Sequence, residues 1–525
     1  MISAAVETHG ERFNQQVSEV ASLPAINSTS KVLQPDHMAN PNRKKVLFVT
    51  SEMADLIKAG GLGDVSAALP RAMSHLHDVR ILIPGYPQVL ESDNPIHIVG
   101  ELNGYAALPP CKVGRMDTPD GLVIYVLICP ELYERDGNPY GAVNGRDWPD
   151  NHIRFARLGM AACDIAAGHG MVHWKPDLVH AHDWPSGLAP AYMHWRGVKV
   201  PTLFTIHNLA YQGVVSLACC PELGVPEHAL QQEGMEFYGK LSFLKAGMAY
   251  SSHITTVSAT YAQEITTPEF GCGLDGFLTS KAHQGLLSGI PNGIDDSWDS
   301  ATDPHLVCPF SLNDWDGKAV NADHVRQLFG LEPSTGPLFA VVSRLVFQKG
   351  LDLTEGVTDY IVRNGGQIAI IGRGEPEEEQ AMRNLAKRYP GQVSARIGFN
   401  ETDARRMFAG SDFLLMPSRY EPCGLSQMYA QRFGSLPVAR RTGGLADTIE
   451  DGVTGFLFDE PTVGAYEAAL QRAFYAFNKP DLLNAMRCRA MTQPFNWSQA
   501  VEPYAELYTK LVNRAHGHGR SVRHY

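Results

Sequence analysis

The fold is decided by three adjoining stretches: VLFVTS (46–51), KAGGLGD (58–64) and VSAALPRAMSHL (65–76). The first is a short apolar run rich in β-branched residues, the second a glycine loop carrying a cation, and the third an amphipathic helical pattern. Strand, glycine loop and helix in that order open a doubly wound parallel sheet. Working outward, DVRILIP (78–84), GLVIYVLICP (121–130), PDLVHAHD (176–183) and PTLFTIHN (201–208) have strand length, with helical patterns such as HIRFARLGMAACDIAA (152–167) between them. Unbroken apolar runs of this kind belong to strands covered on both faces. The same pattern restarts after a proline- and aspartate-rich stretch near 291–317, with GPLFAVVS (336–343), GQIAIIG (366–372) and SDFLLMPS (411–418). The expected architecture is α/β, with two doubly wound Rossmann-like domains at 44–290 and 291–490 facing a central cleft, and a hinge near 291–335. Residues 491–525 are expected to form a helix returning to the first domain with a frayed end. Residues 1–43, polar and weakly periodic, are expected to be a mobile tail.

Composition narrows the class. The 525 residues carry 44 Lys and Arg against 56 Asp and Glu, a net charge of −12. Such a balance argues against a general nucleic-acid binder, which needs a basic surface. Nine cysteines at irregular spacing fit a reduced, intracellular chain better than a disulfide framework or a zinc site. No apolar run reaches the roughly 18 residues of a membrane span, and the start lacks the pattern of a secretory signal. The expectation is a cytoplasmic protein with neither nucleic acid nor membrane as partner.

Lys58-Ala-Gly-Gly-Leu-Gly-Asp in the first half is echoed by Arg441-Thr-Gly-Gly-Leu-Ala-Asp in the second. One such loop is a weak signal, because glycine pairs usually make turns. Two, one in each half, place two helix N-termini toward the crevice at the strand ends, where anions bind. The same crevice would receive His180, His182, Asp183 and His207 from the first domain, and Arg344, Lys349 and Glu421 from the second. Two cations five residues apart suit a diphosphate, and a carboxylate suits ribose hydroxyls. The pattern reads as a nucleotide-diphosphate site assembled from both halves.

KAGGLGDV, HAHDWPSGLAPAY, FTIHNLAYQG, SFLKAGMAYSSHITTVS, VVSRLVFQKGLDL, PSRYEPCGLSQM and RRTGGLADTI, in this order, resemble the motif series of glycosyltransferase family 5. That family holds the ADP-glucose-dependent bacterial glycogen synthases and the plant starch synthases, and the likeness covers about 45–515. It implies the GT-B architecture, and glucose transfer from ADP-glucose to the nonreducing end of an α-1,4-glucan (glycogen or maltooligosaccharide) with retention. It also implies the roles of single residues. Lys58, Gly60 and Gly61 match the nucleotide-sugar loop, and Asp183 and His207 the glucosyl pocket. Arg344 and Lys349 match the diphosphate cations, Glu421 the acid of E-P-C-G-L, and Thr442, Gly443 and Gly444 the loop over the phosphates. Asn292 matches an asparagine close to the sugar, and Tyr140 resembles an aromatic near the adenine. Ala59 and Gly63 depart from the family's usual Thr and Ala.

Neither cofactor nor metal is expected, because cations and loop N–H groups suffice to stabilise a departing ADP. The attack is read as front-face, with Asp183 and His207 positioning the sugar. Other readings are a UDP-glucose-using transferase and, from a different class, a noncatalytic glucan-binding protein. The plainer readings of single features are structural. Asp314-Trp-Asp316 is a turn cluster, Cys423 a packed small residue, and Glu375–Glu379 a solvated first helical turn. IIGRGEPEE (370–378) is a helix start rather than a dinucleotide site, and the terminal HGHGRSVRHY a disordered end. His180 and Asp183 are read as a hydrogen-bonded pair, with the rings of His180 and His182 on opposite faces of their strand.

Overall fold

The computed structural model describes residues 43–170 and 174–520, without the side chains of 517–520. The expectations for the tail before Arg43 and for the histidines after His516 lie outside the described residues. Two large sheets form the scaffold. In the first, the strands run Leu287–Gly289, His253–Thr256, Thr202–Ile206, Leu178–His182, Lys45–Val49, Asp78–Pro84, Val123–Ile128, Cys111–Asp117 and Ile96–Leu102 from edge to edge. The first seven are parallel, and the last two turn the edge antiparallel. Val46 to Val49 are fully buried, as expected of a central strand between two helical layers, whereas Cys111–Asp117 mixes buried and exposed positions at the wet edge.

The second sheet is wholly parallel: Val393–Ile397, Gln367–Gly372, Leu338–Val342, Phe413–Met416, Leu436–Arg440, Phe456–Phe458. Along its strand 338–342 the apolar residues alternate between two cores. Leu338, Ala340 and Val342 enter one, Phe339 and Val341 the other. Period-two alternation thus feeds a helical layer on each face.

The chain passes between the halves twice, side by side. Ile294 N–H donates to the Phe495 carbonyl at 2.7 Å, and Gly293 lies so close to Trp497 that a Cβ would stand 2.8 Å from its backbone. Beyond that crossing, helix Glu502–Arg520 lays Tyr504, Tyr508, Leu511 and Val512 into the first domain's core. The Tyr508 hydroxyl and His180 Nδ1 lie 2.7 Å apart. Asp316 opens helix Asp316–Phe329, its N–H held by Asp314 at 3.2 Å, so this aspartate pair serves a turn. IIGRGEPEE ends a strand and begins helix Pro376–Arg388. No helix among the described residues is long and apolar enough to cross a membrane.

Candidate active site

At the end of strand 45–49 the chain turns through Ser51 and Glu52 into the glycine loop. Glu52 is buried, and one carboxylate oxygen accepts the N–H groups of Ala59 at 2.7 Å and Gly60 at 2.8 Å. Its other oxygen accepts the Tyr140 hydroxyl at 2.7 Å. Glu52 therefore fixes the loop's path into helix Gly61–Ser74. Sequence reasoning passed it over; the available signal was an acid just past an apolar strand and before a glycine pair. Lys58 reaches Asp64, in the first turn of that helix, at 2.6 Å. Tyr140 turns its hydroxyl inward to Glu52 and Ser51, and its ring lies beside Phe155 and Trp184.

The ends of strands 178–182 and 202–206 are pinned together by Asp183. Its carboxylate accepts the His207 N–H at 2.7 Å and the Asn208 N–H at 3.4 Å. Burial pushes the Asp183 carboxyl up to about 7 against the pull of these two N–H groups, and Glu52 nearby adds to the rise. Its backbone lies in the left-handed region at φ 56°, a conformation that costs a non-glycine residue energy and concentrates at functional sites. Burial drives the His207 imidazole down to about 3, so it is neutral at physiological pH.

Two expectations for these histidines do not hold. His180 and His182 share a face, with ring centroids 3.9 Å apart, because alternate strand residues point the same way. His180 does not pair with Asp183 but with Tyr508 and Thr205. His182 Nδ1 meets His207 Nε2 at 3.0 Å, while its own Nε2 is buried without a hydrogen-bond partner. Burial lowers both pKa values, so His180 and His182 are neutral too.

In the second domain, Arg344 and Lys349 follow strand 338–342. Arg344 is exposed and touches the Tyr211 hydroxyl of the first domain at 3.3 Å. Lys349 and Glu421, given separate tasks by the sequence, form a mostly buried ion pair at 2.5 Å, and Ser418 donates to the same carboxylate oxygen at 2.9 Å. Asn292 is buried against the Cys423 thiol. Burial raises that thiol to about 12, which leaves it protonated and fits the packed reading of Cys423.

The glycine pairs of the two loops differ in why they are glycine. A Cβ at Gly443 would meet the Glu421 carbonyl at 1.9 Å, and one at Gly444 the Cys423 carbonyl at 1.9 Å; Gly443 also has φ 44°. These two are required by the fold. A Cβ at Gly61 would meet nothing within 4 Å, and one at Gly60 only Glu52 at 4.0 Å. Between the halves, Glu264 of the first domain accepts from the Thr442 hydroxyl at 2.8 Å and the Gly443 N–H at 3.0 Å. Thr260 likewise bonds Asp447 through its hydroxyl and N–H. The structure thus gathers Lys58, Gly60, Gly61 and Tyr140 around Glu52, and Asp183 with His207. In the second domain it sets Arg344 near the Lys349–Glu421 pair, and the 442–444 loop against the Glu421 carbonyl.

Residues 45–280 match the family model described as "Starch synthase catalytic domain", and residues 329–486 the model "Glycosyl transferases group 1". A glycogen synthase of Pseudomonas fluorescens is 78% identical over 517 residues, 98% of this chain and 99% of that one. One from Pseudomonas putida is 77% identical over 98% of this chain and 99% of its own. Among solved structures, the catalytic domain of starch synthase IV from Arabidopsis thaliana, bound to ADP and acarbose, superposes with a TM-score of 0.80. It is 31% identical and covers 90% of this chain and 100% of its own.

Proposed function

The chain belongs to the bacterial glycogen synthase family, and from that premise we propose how its two halves divide the transfer of glucose from ADP-glucose to an α-1,4-glucan with retention. The second domain takes the diphosphate. Arg344 offers paired N–H groups at the cleft, and Lys349 adds a point charge whose direction is set by Glu421. Lys58 approaches from the first domain, on a loop where Gly60 and Gly61 leave room for a close backbone approach. Negative charge growing on the departing ADP is thereby met by groups already in place. The assignment requires no metal in the cleft.

On the other side, Asp183 faces the glucosyl group. Its ionised form stabilises positive charge at the anomeric carbon, and neutral His207 supplies a hydrogen-bonding edge. The acceptor hydroxyl attacks from the face the phosphate leaves: the new C–O bond forms, the bond to ADP breaks, and the hydroxyl proton passes to a departing phosphate oxygen. The observation that carries this reading is the strained, half-buried Asp183, with its raised carboxyl, at the strand ends of the first domain, complemented by the Lys349–Glu421 pair in the second. ADP as the donor's base is supported by the ADP held in the Arabidopsis relative, and glucan as acceptor by its acarbose. A cytoplasmic site of action fits this chemistry.

The test is label transfer to glycogen from ADP-glucose and UDP-glucose, with EDTA, for the wild type and Glu421→Ala. Incorporation from ADP-glucose that survives EDTA and collapses in the variant is the expected result. Preference for UDP-glucose would overturn the donor assignment, and loss with EDTA the metal-free one. Trapping a glucosyl ester on Asp183 would replace the front-face step.

A further inference from the structure

The nine cysteines show no metal-binding spacing along the chain, yet folding brings three donors to one point. His152, Cys219 and Glu222 each offer one ligand atom, and these atoms lie within 4.8 Å of one another. His152 stands in the first turn of helix Asn151–Ala167, Cys219 closes the tight turn Leu217–Cys219, and Glu222 belongs to the short helix Cys220–Leu223. His152 Nε2 and Glu222 Oε2 are already 3.1 Å apart. Tetrahedral zinc, with bonds of about 2.0–2.3 Å, holds its donors roughly 3.3–3.6 Å from one another. With all three atoms within 4.8 Å, reaching that spacing needs the thiol to approach the His152–Glu222 pair by about 1 Å at most.

The donor set selects the ion. One imidazole nitrogen, one thiolate and one carboxylate suit a borderline-soft divalent cation; calcium and magnesium take oxygen donors only. His152 and Cys219 are half-buried while Glu222 is exposed, so water completes a fourth position from the solvent side. None of the three belongs to the cleft residues described above.

We propose that His152, Cys219 and Glu222 form a zinc-type metal site that ties helix 151–167 to the turn and helix at 217–223. On binding, the Cys219 thiol releases its proton to solvent as the metal–sulfur bond forms, and no electron is transferred. The tie joins segments more than sixty residues apart, and binding to the folded state alone raises the melting temperature by mass action.

Cobalt(II) serves as the optical probe, titrated into the metal-free full-length protein. The expected result is saturation at one ion per chain, with a sulfur-to-cobalt charge-transfer band and the strong visible bands of tetrahedral cobalt, both erased by added zinc. Cys219→Ser should lose the charge-transfer band. His152→Ala should weaken binding by about tenfold or more, the least that losing even an outer partner costs a metal site. Both variants should keep glucosyl transfer, which shows that they fold. A wild type without a saturable charge-transfer band overturns the proposal, as does an unchanged band in Cys219→Ser. Cobalt taken up by terminal histidines brings no sulfur and gives no such band.

Discussion

Gly61 and Gly443 separate binding from folding within single residues. Gly443→Ala drives a methyl into the Glu421 carbonyl at a positive φ, so it should cost about 1–3 kcal/mol of stability, read as a lower denaturant midpoint. Gly61→Ala meets nothing and should hold or gain stability, about 0.5–1 kcal/mol at most, while raising the KM for ADP-glucose. An unchanged KM would remove Gly61 from the donor site. Asp183 makes a prediction in pH. With its carboxyl raised to about 7, kcat/KM should climb with a midpoint near pH 7, and Asp183→Asn should abolish that limb together with activity. The stability signs are opposite for Asp183 and His207. The contribution of Asp183 is fully present below 3.8 and is lost as pH rises through about 7. That of His207, depressed to about 3, is present above 6.5 and is lost as pH falls toward 3. Asp183→Asn, which keeps an oxygen for the His207 N–H, should therefore be more heat-stable than wild type at pH 8. Equal melting temperatures there would contradict the elevated carboxyl.

Among elements, the C-terminal helix Glu502–Arg520 does work that its amphipathic pattern only hints at. Tyr508 reaches from it to His180 on a central strand of the first sheet, and His180 continues through Thr205 to Thr255. Tyr508→Phe leaves the buried His180 Nδ1 without a partner, a change of about 1–3 kcal/mol, detectable as a lower unfolding midpoint. The helices Ala259–Glu264 and Gly443–Thr448 meet across the hinge through two carboxylates, Glu264 and Asp447. Removing both as Glu264→Ala with Asp447→Ala should loosen the halves and enlarge the unliganded radius of gyration in solution scattering. An unchanged radius would mean that the paired crossings at 290–298 and 495–497 hold the halves by themselves.

For the whole molecule, two sheets are joined by two adjacent crossings, and the proposed function predicts that the cleft between them closes on its substrates to exclude water. Scattering with ADP and a maltooligosaccharide should show compaction; no change on saturation would sink closure as the way hydrolysis is avoided. The α/β class and the two glycine loops were legible in the chain itself, because fully buried parallel strands are written as unbroken apolar runs and glycine loops as local signals. The placement of Arg344, Lys349, Asp183 and His207 past strand ends was legible for the same reason: each follows such a run. What the sequence left undetermined was pairing. Lys349 meets Glu421 across seventy-odd residues, Glu52 takes the N–H groups of the Lys58 loop, Glu264 caps a helix in the other domain, and His152 comes to Cys219 and Glu222. Local patterns report which face of an element is buried. Which polar groups satisfy one another depends on contacts between distant segments, and only the assembled tertiary structure fixes those.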